Sequence, residues 1–312
     1  MADNSTYRLV TRSDFDGLAC AVLLKERKLI NEITFVHPKD MQDGRIPITE
    51  RDITTNLPYV PGCHLAFDHH SSEIIRAGSK VPDNLILAPA APSAARAVYE
   101  YYGGAEAFPN TSEELLEAVD KADAAQFTED DILSPRGWVL LNFLMDARTG
   151  LGRFRDFRIS NYQLMLQLID ACAEHTIDEI LELPDVVERI DLYFSHEEKF
   201  KEQLMRCAVE YEPLVVADLR EENPIYAGNR FVIYALFPES NVSMHVLWGK
   251  GKQNVVFAMG KSILNRTSDL DIGELTLEYG GGGHRNAGTC QVPTDRADAL
   301  LPELIERVRA GG

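Results

Sequence analysis

The segment Cys63-His64-Leu65-Ala66-Phe67-Asp68-His69-His70 joins a short apolar run to an acid and two imidazoles. Residues 63–67 are predicted to form a buried β-strand, because the run is short and mostly apolar. Asp68, His69 and His70 then follow at the strand end, where they would add nothing to a hydrophobic core. The triplet therefore indicates a functional site at the end of a strand.

Further strands are predicted on the N-terminal side of the triplet. Residues 7–11 are β-rich, break into the acidic loop 13–17, and lead into helical periodicity over 18–29. A second β-rich run covers 33–37, and a third precedes Asp52. Strands that alternate with helices predict an α/β fold with a parallel sheet in the N-terminal half.

Acidic side chains recur at the ends of these predicted strands. The carboxyl ends of parallel strands converge at one edge of a sheet. We therefore expect four carboxylates to lie close together there: Asp14, Asp16, Asp52 and Asp68. Carboxylates with a single imidazole suit Mn²⁺ or Mg²⁺ better than structural zinc, which favours thiolates. Two such ions could activate a water molecule and neutralise a phosphoryl oxygen.

The rest of the chain is predicted to form more helices, a long connector and a second, smaller α/β domain. Helical patterns cover 93–102, 112–124 and 159–183. A charged helix-like stretch then extends from 185 to about 211. The β-rich runs and the closing helix that follow are at 214–217, 231–237, 242–248, 254–259 and from Asp295 onward. The predicted division is a domain over 1–184, a helical connector over 185–211 and a domain over 212–312.

The composition limits the class of protein. Hydrophobic residues make up 45% of the chain and charged residues 26%, and no apolar run is long enough for a membrane span. The first residues lack the basic and apolar pattern of a secretory signal, and the five cysteines show no C-x-x-C spacing. We expect a cytoplasmic protein with reduced cysteines. The net charge of −18 argues against a long duplex nucleic acid as a partner.

The order of the acidic groups resembles that of the DHH phosphoesterases, a family that includes RecJ exonucleases, nanoRNases, cyclic-dinucleotide phosphodiesterases and family II pyrophosphatases. The resemblance implies a metal-dependent phosphoesterase that binds two Mn²⁺ ions, with Mg²⁺ as an alternative. It also implies that Asp68, His69 and His70 are the catalytic triplet. Within it, His69 would bind metal and His70 would face the substrate phosphate.

The same resemblance implies the remaining metal ligands. Asp14 and Asp16 match the family's Asp-x-Asp loop. Asp52 is the best match to its strand-end aspartate, ahead of Asp40 and Asp43. These assignments complete an expected two-metal centre at the sheet edge.

A last ligand is placed at Asp123, because Asp123-Ala124-Ala125-Gln126-Phe127 resembles the family's Asp-Thr-Gly-x-Phe run. Asp120, one helical turn earlier, is the alternative, either as the ligand or as its partner. One departure stands out, since family members usually carry His or Asp at the places held here by Arg12 and Val10. The first metal site is therefore expected to be weakened, or Arg12 to bind the substrate phosphate.

The second half carries a glycine cluster in Gly280-Gly281-Gly282-Gly283-His284-Arg285-Asn286-Ala287-Gly288. It resembles the Gly-Gly-Gly-His signature of the DHH-associated C-terminal domain, which binds the far end of the substrate. Consecutive glycines can present backbone N–H groups to a phosphate, and the two basic side chains add directed donors. The expected substrate-binding residues are Arg12, His70, Gly281, Gly282, Gly283, His284 and Arg285.

Three functions remain open at this point. The favoured one is hydrolysis of a phosphodiester or phosphomonoester in a short nucleotide, such as a nanoRNA, pAp or a linear or cyclic dinucleotide. The nearest alternative is an exopolyphosphatase or pyrophosphatase that acts on inorganic polyphosphate. A third is a degenerate nucleotide-binding module without turnover. A homodimer is possible in each case.

Overall fold

The computed structural model describes residues 6–70 and 81–311. The chain divides into two compact units. The first consists of residues 1–126, 136–147 and 151–190, and the second of residues 127–135, 148–150 and 191–312. The main division falls between Ile190 and Asp191, inside a long helix. The connector over 185–211 that the sequence predicted stays a prediction.

A five-stranded sheet organises the first unit. Its strands are β1 (Tyr7–Arg12), β2 (Ile30–Val36), β3 (Asp52–Thr55), β4 (Leu65–Asp68) and β5 (Leu85–Leu87). They lie in the order β2-β1-β3-β4-β5, and every neighbouring pair is parallel. All five strands therefore end at the same edge, which confirms the predicted α/β class.

Helices cover this sheet. Helix α1 (Phe15–Glu26) follows β1 directly and is buried over residues 15–24, because apolar or small residues occupy almost every position. The other helices in the described residues of this unit are α2 (Pro38–Gln42), α3 (Ala94–Tyr101), α4 (Glu113–Asp123), α6 (Gly137–Met145), α7 (Asn161–Glu174) and α8 (Ile177–Leu181). Helix α1 packs against α3, α4 and α7, so it lies at the centre of this helical layer.

A six-stranded mixed sheet organises the second unit. Its strands are β6 (Ala208–Tyr211), β7 (Leu214–Asp218), β8 (Val242–Trp248), β9 (Asn254–Lys261), β10 (Gly282–His284) and β11 (Ala287–Pro293). Their order is β10-β11-β9-β8-β7-β6, with only β7 and β8 parallel. The helices are α5 (Glu129–Leu133), α10 (Val232–Leu236), α11 (Ile272–Glu278) and α12 (Thr294–Gly311).

The core of the second unit follows the two-residue period of its strands. Val242, Met244 and Val246 alternate along β8 and are all buried on one face. Side chains of α11 and α12, among them Leu275 and Leu304, pack into the same cluster. The second unit is therefore a mixed sheet with helices packed on its buried face, and the predicted α/β class is confirmed here too.

Two predictions about single elements are wrong. Residues 231–237 were expected to form a strand, but Val232–Leu236 is the helix α10, since a short apolar run does not distinguish a buried strand from a buried helix. The third strand was expected to precede Asp52, whereas β3 begins at that residue. Helix α9 (Pro184–Cys207) also ends before residue 211 and continues directly into β6.

Among the described residues, no helix is both long enough and apolar enough to cross a lipid bilayer. The five cysteines form no disulfide, and four of them are buried: Cys20, Cys63, Cys172 and Cys290. Burial raises the pKa of Cys172 to about 12, as expected for a thiol that packs in a core.

Candidate active site

The turn between β1 and α1 brings two acidic side chains to the strand edge. Asp14 caps α1, with its Oδ1 accepting a hydrogen bond from the backbone N–H of Gly17 at 3.0 Å. A Cβ atom at Gly17 would lie 2.0 Å from the carbonyl oxygen of Arg12. Only glycine allows this close approach, so the helix starts directly above the strand end.

Asp16 lies in the first turn of α1 and is 2% exposed. Its carboxylate accepts hydrogen bonds from the backbone N–H groups of Ala94 at 3.0 Å and Ala95 at 2.7 Å, in the first turn of α3. The positive end of that helix therefore orients the carboxylate. Burial, followed by the charges of Asp123 and Asp14, nevertheless raises the pKa of Asp16 well above its usual value.

Asp68 is the last residue of β4 and anchors the histidines that follow it. Its Oδ1 accepts hydrogen bonds from the backbone N–H groups of His69 at 2.8 Å and His70 at 3.3 Å. The same oxygen lies 2.6 Å from Nδ1 of His70. Asp68 is 2% exposed, so its buried carboxylate holds the backbone of both histidines and orients the ring of His70.

The ring of His69 is held between a backbone carbonyl and two carboxylates. Its Nδ1 lies 3.3 Å from the carbonyl oxygen of Ala91, which favours the N–H on that nitrogen. Its Nε2 is buried and faces Oδ2 of Asp123 at 3.0 Å. Burial opposes protonation, but Asp123, Asp16 and Asp68 together raise the pKa of His69 to about 9.

Asp16, His69 and Asp123 converge, since each offers a ligand atom within 4.8 Å of the others. Burial is the main cause of the raised pKa of Asp16, but the charges of Asp123 and Asp14 add to it, and neighbouring carboxylates raise the pKa of His69. A cation would neutralise this negative charge. Two carboxylates and one imidazole are suitable ligands for Mn²⁺ or Mg²⁺. The buried Nε2 of His69 faces Asp123 of this set, so the three residues fit a divalent cation.

Asp123, not Asp120, belongs to this cluster. Asp120 is paired with Arg96, whose Nη2 lies 2.6 Å from Oδ2, and it accepts a hydrogen bond from the hydroxyl of Ser93 at 2.7 Å. Ala125 has a φ of 48° and occupies the position of glycine in the Asp-Thr-Gly-x-Phe run. Since that left-handed conformation favours glycine, the backbone supports the alignment that placed Asp123 in the site.

Arg12, Asp14 and Asn56 form a second group beside the first. The guanidinium Nε of Arg12 lies 2.9 Å from Oδ2 of Asp14. Nδ2 of Asn56 donates to Oδ1 of Asp14 at 3.2 Å. Asn56 follows β3, has a φ of 54° and is 2% exposed. The sequence analysis missed Asn56, although asparagine before Leu-Pro is a recognisable signal for a strand that ends in a left-handed residue.

The placement of Asp52 at the carboxyl end of its strand is wrong. Asp52 is the first residue of β3 and pairs with Arg8, whose Nε lies 2.7 Å from Oδ1. Its Oδ2 accepts a hydrogen bond from the backbone N–H of Thr49 at 2.7 Å. Asp52 therefore lies at the edge of the sheet opposite the cation cluster. Asn56 occupies the carboxyl end of β3, where Asp52 was predicted to lie.

Gly282 and Gly283 of the glycine cluster lie in the edge strand β10 of the second unit, and Gly281 directly precedes it. A Cβ atom at Gly281 or Gly283 would lie 2.2 Å from a backbone oxygen of β11, so both glycines are required by strand pairing. At Gly282 no atom lies within 4 Å of such a Cβ, and the residue is exposed. Of these three glycines, only Gly282 offers an open backbone surface to a ligand.

His284 and Arg285 follow at the end of β10, and both are exposed. Lys261, at the end of β9, is close enough to Arg285 for the two charges to interact, and burial together with Arg285 lowers the pKa of Lys261. The sequence analysis did not include Lys261 in the site. This end of the second unit therefore presents several basic groups beside the open surface of Gly282.

No protein-family model matches the chain, and no curated protein sequence matches it. Among solved structures, the chain is similar to the pGpG-specific phosphodiesterase PggH from Vibrio cholerae, with 60% identity, a TM-score of 0.83, and coverage of 98% of this chain and 100% of that one. It also resembles the DHH domain of a member of a family of ribosomal proteins, at 13% identity and a TM-score of 0.59. That match covers 98% of this chain and 87% of the other, and supports the fold.

The strand-edge cluster and the full-length likeness define a metal-dependent phosphoesterase, a hydrolase that acts on phosphoric ester bonds. The chain belongs to the DHH phosphoesterase family. The predicted family and reaction class are thus confirmed, and the proposal of a binding module without turnover is not supported.

Proposed function

We propose that this enzyme hydrolyses a short linear dinucleotide, with pGpG as its preferred substrate. The proposal depends on one observation, which is the cation cluster of Asp16, His69 and Asp123 in a chain 60% identical over its full length to a pGpG-specific phosphodiesterase. A small anionic substrate also suits a protein of net charge −18, because a few local positive groups can capture it.

The reaction consumes one water molecule. A divalent cation held by Asp16, His69 and Asp123 would lower the pKa of water and neutralise charge on a phosphoryl oxygen. The water oxygen bonds to the phosphorus of the phosphodiester, and the bond from that phosphorus to the 3′ oxygen breaks. One proton of the water passes to the 3′ oxygen, so that pGpG yields two molecules of GMP.

The protein side chains orient the substrate around that reaction. Asp68 holds the ring of His70 through Nδ1, and we assign the ring to the scissile phosphate. Arg12 adds a fixed positive charge on the same edge of the sheet. In the second unit, the backbone of Gly282 with His284 and Arg285 would bind a terminal phosphate or nucleotide.

Hydrolysis of inorganic polyphosphate is the alternative function that the sequence left open. The experiment compares pGpG, pApA, cyclic diguanylate, pAp and inorganic polyphosphate with Mn²⁺, with Mg²⁺ and with EDTA, and separates the products by chromatography. We expect GMP from pGpG with either metal and none with EDTA. Phosphate release from polyphosphate without turnover of pGpG would contradict the proposal.

The cytoplasmic location and the homodimer remain proposals. The five cysteines support the first, because none forms a disulfide and a reducing compartment keeps thiols in that state. Light scattering of the purified protein would test the second.

A further inference from the structure

The carboxylate of Asp14 is surrounded by N–H donors. Gly17 donates to Oδ1 at 3.0 Å, and Asn56 donates to the same oxygen at 3.2 Å. Arg12 approaches Oδ2 at 2.9 Å. An ionised carboxylate has about four lone-pair positions, and the three N–H donors around Asp14 face most of them. Asp14 is therefore arranged to receive a guanidinium and an amide.

Asn56 divides the two groups of the site. It follows β3, which lies between β1 and β4, so it stands between Asp14 and the triplet that begins at Asp68. Because Asp14 can only accept, the amide nitrogen of Asn56 must face it. Its Oδ1 is buried without a hydrogen-bond partner among the described residues. An amide oxygen can bind a hard cation, but the amide nitrogen cannot.

The net charge of the group of Arg12, Asp14 and Asn56 also disfavours a divalent ion there. Arg12 and Asp14 neutralise one another, and Asn56 carries no charge. A second divalent ion beside Asp14 would meet a fixed guanidinium at short range and find no uncompensated carboxylate in this group. In contrast, Asp16 and Asp123 bring two carboxylates within 4.8 Å of one imidazole, with no guanidinium in that cluster.

We infer that this enzyme holds one divalent cation, at Asp16, His69 and Asp123, and that Arg12 supplies the positive charge where a two-ion phosphoesterase holds its second ion. Asp14 and Asn56 fix the guanidinium in that place. The inference rests on the proposed cation site but not on the choice of pGpG. It replaces the sequence expectation of two Mn²⁺ ions with one ion and one guanidinium.

The test counts metal ions rather than turnover. The purified protein is loaded with Mn²⁺, dialysed, and analysed by elemental mass spectrometry and electron paramagnetic resonance. We expect one ion per chain with the spectrum of isolated Mn²⁺. The double variant Arg12→His with Asn56→Asp restores a ligand set for a second ion, so it should bind two ions whose spins couple at their short separation. Asp52→Asn, on the same strand as Asn56 but at its other end, is the control and should stay at one ion.

Each outcome of the metal count supports or contradicts the inference of a single ion. Two ions in the unaltered protein would overturn the inference while leaving the proposed function intact. No bound ion would overturn the proposed cation site as well. A folded double variant that still binds one ion would show that Arg12 and Asn56 do not set the number. Should the double variant fail to fold, the spectrum of the unaltered protein and the single variant Asn56→Asp decide instead.

Discussion

Asp120 and Asp123 lie one turn apart on α4, but their different contacts give them different roles. Asp123 contacts the imidazole of His69, whereas Asp120 pairs with Arg96 and accepts from Ser93. Ser93 caps α3, the helix whose first N–H groups hold Asp16. Asp120 is therefore a positioning residue that acts through α3, and Asp123 is a candidate ligand.

Substituting each of these aspartates separates the two roles. Asp123→Asn should lower kcat by about a hundredfold or more, because it weakens the cation site directly, while Asp120→Asn should lower it by no more than about tenfold. Steady-state assays with pGpG and Mn²⁺, together with melting temperatures, measure both effects. Equal losses in two well-folded variants would contradict the assignment of Asp123.

The residues of the site differ in how well the sequence predicts them. Asp14, Asp16 and the triplet lie at or just after the ends of strands that β-rich or short apolar runs predict, so their edge could be expected. Asp52 was misplaced because strand ends are the least certain feature of a sequence pattern, and a shift of about four residues moves a side chain to the opposite edge. The pairing of Arg8 with Asp52 depends on the register of β1 and β3, which no local pattern contains.

At the scale of single elements, β10 combines structural and exposed glycines. Gly283→Ala should destabilise the protein by about 1–3 kcal/mol, since the added methyl would overlap the carbonyl of Ala287. Gly282→Ala meets open space and should leave the melting temperature unchanged, but raise KM for pGpG roughly tenfold by covering the exposed backbone.

Thermal unfolding and steady-state kinetics of the two glycine variants provide the comparison. An unchanged KM in Gly282→Ala would mean that this strand does not contact the substrate. Substrate binding by the second unit would then depend on His284 and Arg285 alone.

The amino end of β3 carries an acid-sensitive contact. Burial raises the pKa of Asp52, but the hydrogen bonds from Arg8 and from the backbone of Thr49 outweigh burial and lower that pKa overall. A lowered pKa in the folded state means that the stabilisation is present above the ordinary value of about 3.9 and is lost as the pH falls through the folded value.

Asp52→Asn should therefore cost about 1–3 kcal/mol near neutral pH, because it removes a charged hydrogen-bond acceptor. The difference from the unaltered protein should begin to shrink below about pH 4, where aspartate in the unfolded chain takes up a proton, and should disappear once the pH falls below the lowered pKa of folded Asp52. Urea unfolding at several pH values measures this difference. A constant difference down to about pH 2, below the ordinary range of aspartate, would show that the ion pair does not contribute.

Helix α10 shows a limit of prediction at this scale. Residues 231–237 contain valine, isoleucine and tyrosine, which favour strands, but Phe231 and Tyr234 are buried in a helical turn. Asn229 fixes the start of that turn, since its side chain accepts from the N–H of Phe231 and donates to the carbonyl of Ile132. Contacts distant in sequence thus override the local preference.

For the molecule as a whole, binding of the cation should stabilise the fold. A ligand that binds only the folded state adds about 2.7 kcal/mol when its concentration is about a hundred times Kd. Mn²⁺ should therefore raise the melting temperature, EDTA should reverse the rise, and Asp123→Asn should abolish it. Calorimetric scans measure the shift, and a rise of the same size in Asp123→Asn would place the ion elsewhere.

The parallel order of the first sheet has a consequence for how the enzyme matures. Asp16 lies near the start of the chain, whereas Asp123 lies at the end of α4, and nothing local holds them together. The proposed cation site can form only after β1, β3 and β4 are side by side and α3 and α4 have docked on them. A nascent chain on the ribosome has no such site until α4 has emerged, so metal loading follows folding of the first unit and cannot direct its early steps.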